Sequence, residues 1–249
     1  QPFFFHYFKW RQTPEILASL GQTWQPFGGS GFFVLVALLL LVSLAAVIFI
    51  VGPLLLRRDA QNSAITGIRF WRGRVLIYFA GLGLAFLFVE VPLAQRFILV
   101  LGEPVTALAV ILFSLLLFSG IGSWTSRRWS LFVALAILIT AVAAYPFILG
   151  WLSGSALSWP EWVRFAFSIL VLAPLGYLMG IPFAGGLRVV EAHDPALVPW
   201  AWAINGSFSV ISSVLAVMVA LTWGLATVLW LGAAAYGAAL IVFGRLSRL

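Results

Sequence analysis

The sequence has no cysteine, only two histidines and two methionines, and few charges: Asp, Glu, Lys and Arg together make up 8% of its 249 residues. An ordinary soluble domain carries roughly 25% charge, so that class is excluded. Without cysteine there are no disulfides, Fe–S clusters or thiolate metal sites in this chain. His6 and His193 both fall outside the apolar runs, whereas an axial imidazole ligand to haem or bacteriochlorophyll must sit at membrane depth. Two histidines on opposite faces cannot build a Ser-His-Asp set either. GxxxxGK[ST], HExxH and a glycine-rich phosphate loop after a strand are all missing. Gly81-Leu82-Gly83 lies inside an apolar run and is no nucleotide fingerprint. His193 with Glu191 and Asp194 reads as a solvated loop cluster, so no cofactor and no metal are expected.

What is present is apolar. The composition is 63% hydrophobic and 16% aromatic, and runs of 18 or more apolar residues recur, each long enough to cross a ~30 Å hydrocarbon core. The expected fold class is all-α: a polytopic membrane protein of about seven transmembrane helices behind a short interfacial helix. Residues 1–30 form the juxtamembrane segment and 31–249 the membrane domain. The first segment crowds Phe3, Phe4, Phe5, Tyr7, Phe8 and Trp10 around Lys9 and Arg11, a composition that suits the headgroup layer. Thr13, Pro14 and Glu15 then predict a helix start lying along the membrane surface. The spans are expected at about 32–56, 75–95, 105–124, 129–151, 162–187, 199–222 and 225–244. Pro174 and Pro182 predict a bent or locally unwound fifth span. The chain begins at Gln1 without a signal-peptide pattern and reads as a portion of something longer.

Seven spans place the termini on opposite sides. Ten of the fourteen basic residues fall on one of them: Arg57, Arg58, Arg69, Arg72, Arg74, Arg127, Arg128, Arg188, Arg245 and Arg248. The positive-inside rule makes that side cytoplasmic, with the N-terminus outside and the C-terminus inside the inner membrane. The basic balance then reports topology and contact with anionic lipid, not nucleic acid.

Ionisable groups within spans are rare and mark functional candidates. Glu90, Gln95 and Arg96 interrupt the second span, and Asn205 the sixth. Glu90 and Arg96 lie ~9 Å apart along a straight helix and ~120° apart around it, so they pair directly only if Pro92 bends the helix. Arg96 falls at the outer interface and Glu90 about a turn and a half deeper, where an unpaired charge costs on the order of ~3 kcal/mol. Glu90 is therefore paired, protonated or facing a wet cavity. Asn205 enters from the opposite side and differs from Glu90 by ~12 Å in depth, too far to complete a site with it. Asn205, Ser209, Ser212, Ser213, Ala216 and Ala220 make a small, weakly polar stripe suited to close helix packing. Ser119 with Ser123 and Ala233 with Gly237 repeat that spacing. Pro92 and Pro104 read as devices that end one span and begin the next.

The segments VEVPLAQRFILVLGEPVTALAVILFSLLLFSGIGS (89–123), LAPLGYLMGIPFAGGLR (172–188) and VPWAWAINGSFSVISSVLAVMVALTWG (198–224) resemble the membrane region of spermidine synthase-like multispan bacterial proteins. In that family a soluble domain of methyltransferase-like Rossmann fold is fused to hydrophobic spans, and QPFFFHYFKW resembles the junction. The resemblance covers most of the chain and rests on the order of Glu90, Gln95-Arg96, Gly102, Pro104, Pro182, Gly186 and Asn205-Gly206. It implies a membrane half of a transferase. The family's nucleotide-binding glycines and acidic residues have no counterpart here, and an outside N-terminus lies away from cytoplasmic S-adenosyl donors. Either the orientation is reversed, or the attached domain does not use that donor. The leading expectation is a non-catalytic anchor or scaffold, an accessory subunit or part of a larger complex, in contact with lipids and other membrane subunits. Translocation of a small molecule or ion through the bundle and the transferase half are the alternatives.

Overall fold

In hydrocarbon a backbone amide has no water to bond, so an apolar run of span length closes its hydrogen bonds internally as a helix. The computed structural model describes residues 30–51, 66–155 and 158–246, and among them it contains helices and no strand. The helices are α1 (Ser30–Ala46, continued by a π-helical turn, Val47–Val51), α2 (Thr66–Leu101), α3 (Pro104–Thr125), α4 (Leu131–Ser155), α5 (Glu161–His193), α6 (Val198–Trp223) and α7 (Leu225–Leu246). Six of them, α2 to α7, are long and apolar enough to cross a bilayer. The described part of α1 is shorter, and it packs against α6 through Leu35, Val36 and Leu39. The aromatic segment ahead of it, with its expected surface helix, lies outside the described residues.

Helix α2 stands at the centre and touches α3, α4, α5, α6 and α7. Its Tyr78, Phe79, Val89, Leu93 and Phe97 are fully buried beside Ile111 and Leu115 of α3, Leu135 and Leu138 of α4, and Leu172 and Leu175 of α5. Contacts fix the directions. Tyr78 meets Pro182 and Arg164 meets Val100, so α5 runs antiparallel to α2. Asn205 meets Phe79 and Ser212 meets Leu84, so α6 runs parallel to it. One end of the bundle therefore collects Arg72, Arg74, Arg127, Arg128 and Arg188, and the other Arg96, Glu103, Glu161 and Arg164. Tryptophans mark both ends: Trp124 and Trp202 at the arginine-rich one, Trp151, Trp162 and Trp223 at the other, all exposed as interface anchors are.

One expectation about proline is corrected, and another is narrowed, since the fifth span is not locally unwound. Pro92 does not end the second span. Helix α2 passes through it to Leu101, and α5 passes through both Pro174 and Pro182 as one helix of 33 residues. An unwound turn in lipid would leave several polar groups unbonded, whereas a continuous helix loses one bond per proline. The terminator of α2 is Gly102, whose φ of 80° is open to glycine without a Cβ penalty and whose amide bonds the Ile98 carbonyl. Pro104 then occupies the first turn of α3, where its missing N–H costs nothing.

Close packing rests on small residues, though not all of those expected. A Cβ at Gly180 would collide with the Ser119 carbonyl, and one at Gly122 with the Tyr177 carbonyl, so α3 and α5 meet backbone to backbone. Gly176 and Gly180 form the small-xxx-small pair behind this contact. On α7 the residues facing α2 are Gly232, Ala235 and Ala239, while Gly237 faces open space.

Replacing Gly180 with Ala is expected to destabilise the bundle by about 2 kcal/mol through forced separation of the helices. Gly120→Ala, where a Cβ meets nothing within 4 Å, is the control and should be neutral. Unfolding in mixed micelles measures both; equal effects would rule out the α3–α5 contact.

Candidate functional site

Six polar side chains of the bundle donate to backbone carbonyls of neighbouring helices. Asn205 Nδ2 donates to the Phe79 carbonyl at 3.2 Å, Ser209 Oγ to the Gly83 carbonyl at 3.2 Å and Ser212 Oγ to the Leu84 carbonyl at 2.7 Å. These three residues are one face of α6 laid along α2, and the approach is close because Gly83 has no Cβ to hold the Asn205 backbone away. Tyr78 Oη donates to the Pro182 carbonyl at 2.8 Å, with its ring occupying the space a Cβ on Gly186 would need. Tyr145 Oη donates to the Val171 carbonyl of α5. Arg164 Nη1 donates to the Val100 carbonyl at 2.9 Å, at the negative end of the α2 dipole. Helix propensity and periodicity do not announce these bonds. The signal available in sequence was the small-polar stripe for α6.

The expected candidates separate accordingly. Asn205 is bonded to α2 at Phe79, eleven residues before Glu90 and so ~16 Å from it along the axis. Glu90, Gln95 and Arg96 are half-buried at the far end of α2, and among the described residues none has a hydrogen-bond or ion-pair partner for its side chain. Glu90 and Arg96 thus do not pair across Pro92. The helix stays continuous there, and six residues leave the two charges on different sides of it. Among the described residues no group of three or more metal-ligating side chains is found.

At the arginine-rich end the polar groups form two further sets that sequence reasoning passed over. Arg72 grips one carboxylate oxygen of Asp194 with Nε at 3.2 Å and Nη2 at 3.0 Å, fastening the start of α2 to the end of α5. Trp71 lies 5.7 Å from the His193 ring beside this pair. Tyr177 Oη takes the Trp129 indole N–H at 2.9 Å and lies 2.7 Å from Thr125 Oγ1, while Arg188 Nη1 donates to Ser126 Oγ. Asp194 appeared in the sequence as a solvated loop charge; only the fold brings Arg72, 122 positions away, to it.

The fold and this distribution of polar groups define an all-α, polytopic membrane protein. No protein-family model, no curated protein and no solved structure matches the chain.

Arg164→Met is expected to weaken the bundle by about 2 kcal/mol, because it strips a charged donor from a helix terminus. Glu90→Gln should leave the stability of the isolated chain unchanged or raise it, since it loses no partner among the described residues. A Glu90→Gln loss equal to that of Arg164→Met, measured by the same unfolding assay, would reveal a partner for Glu90 inside the chain.

Proposed function

We propose that this chain is a non-catalytic membrane domain that anchors or scaffolds within a larger membrane protein or complex. In this reading it lies in the inner membrane with its arginine-rich end cytoplasmic and its N-terminus outside. The observation that carries the proposal is the use made of the polar residues: Tyr78, Tyr145, Arg164, Asn205, Ser209 and Ser212 all serve to hold helices together. Five of the residues that carry the spermidine synthase-like resemblance behave alike. Gly102 turns the chain, Pro104 starts α3, Pro182 and Gly186 receive Tyr78, and Asn205 seats α6. Such motifs support a relationship through membrane architecture, with transferase chemistry belonging to a separate domain. The half-buried charges of α2, Glu90 and Arg96, then await partners from another subunit.

The second reading, passage of a proton or small ion, rests on the same Glu90, which has no partner among the described residues, since intramembrane carboxylates commonly serve such pathways. The two readings part in liposomes. Vesicles holding the chain are expected to pass protons and potassium no faster than empty ones, and Glu90→Gln should shift the assembly extracted in mild detergent to smaller size. Flux that disappears in Glu90→Gln while the assembly keeps its size would overturn the scaffold and establish the pathway.

A further inference from the structure

At the arginine-rich end a cleft of about 330 Å³ opens between α4, α5 and α7. Its polar wall is Arg188, Ser126 and His193, and its apolar wall is Leu131 and Phe243, with Trp129 at the rim. Arg188 is half-buried, its Nη1 is steadied by Ser126 Oγ at 2.5 Å, and among the described residues it has no carboxylate partner. The nearby acids do not neutralise it: Asp194 is engaged by Arg72, and Glu191 is exposed without an ion pair among the described residues. Arg127 and Arg128 stand exposed on the adjoining turn and add to the positive potential. Tryptophans at this end of the bundle place the cleft at headgroup depth. A planar guanidinium pre-set on one side and an apolar wall on the other fit a phosphate that carries an acyl-bearing tail.

We propose that this cleft is a binding site for an anionic phospholipid, its phosphate held by Arg188 and its glycerol and upper acyl chain resting on Leu131 and Phe243. Basic pockets between transmembrane helices on the cytoplasmic side take such headgroups. The site is independent of whether the domain anchors or conducts. It predicts selective retention of lipid by the full chain.

The chain is purified from vesicles of equal phosphatidylglycerol and phosphatidylcholine, and the lipid that stays bound is weighed by native mass spectrometry. Phosphatidylglycerol is expected to be retained, and Arg188→Gln to lower its retention about fivefold, while Arg96→Gln at the opposite end leaves it unchanged. Ala192→Glu places a carboxylate on the exposed lip of the same cleft without disturbing Arg188 or Ser126, and should give a similar loss in a protein that folds normally. Equal retention in wild type, Arg188→Gln and Ala192→Glu would overturn the site. Displacement of the lipid by millimolar inorganic phosphate would assign the cleft to a free anion and overturn the lipid reading.

Discussion

Hydrocarbon offers a hydroxyl, an amide or a guanidinium no water, so a polar side chain there is stabilised by a backbone carbonyl of its own or a neighbouring helix, and the bonds of the second kind shape much of this fold. Helix α2 supplies four of the six acceptors, and α5 the other two. The α2 carbonyls at Phe79, Gly83, Leu84 and Val100 receive Asn205, Ser209, Ser212 and Arg164 from two different helices. Each such bond contributes modestly, roughly 0.6 kcal/mol on average in membrane interiors, but it also fixes register, because a helix that slides by one residue loses its acceptor. Dispersion between closely approaching backbones adds to this where Gly122 and Gly180 let α3 and α5 touch. Hydrophobic burial cannot order these helices against one another, since lipid tails are as apolar as leucine.

Much of the architecture was legible in the sequence because span length, charge and turn chemistry are local. The starts and ends of α3, α6 and α7 follow from Pro104, Pro199, Gly224 and the arginines that flank the runs. Proline misled. Pro92, Pro174 and Pro182 break helices in water, where a freed carbonyl can be solvated, but within lipid α2 and α5 continue past them. Small-residue spacing gave the stripe on α6 correctly, yet could not tell Gly232 from Gly237 on α7, because several small-xxx-small registers overlap there and only the partner helix selects one. The pairing of Arg72 with Asp194 and the cleft beside Arg188 were hidden for a different reason: they join residues more than sixty positions apart, and nothing local distinguishes an arginine that marks an interface from one that builds a site.

Glu90 gains definition by elimination. It does not meet Arg96, and it lies far from Asn205. Polar residues such as Asn205 are engaged with a neighbouring helix, whereas among the described residues the side chains of Glu90, Gln95 and Arg96 on α2 have no partner. A charge held half-buried without a partner is costly, and among the described residues Glu90 has none. The same logic separates the two ends of the bundle, one fastened by Arg72 and Asp194 with a cleft beside it, the other carrying open charges.

The claim that interior polar residues hold helices together is tested most directly on α6. Changing Asn205, Ser209 and Ser212 together to alanine removes three donors and little else. The account predicts a loss of about 2 kcal/mol in unfolding free energy measured by steric trapping in bicelles, with the singly substituted chains each losing a part of it. An unfolding free energy unchanged in the triple variant would contradict the account.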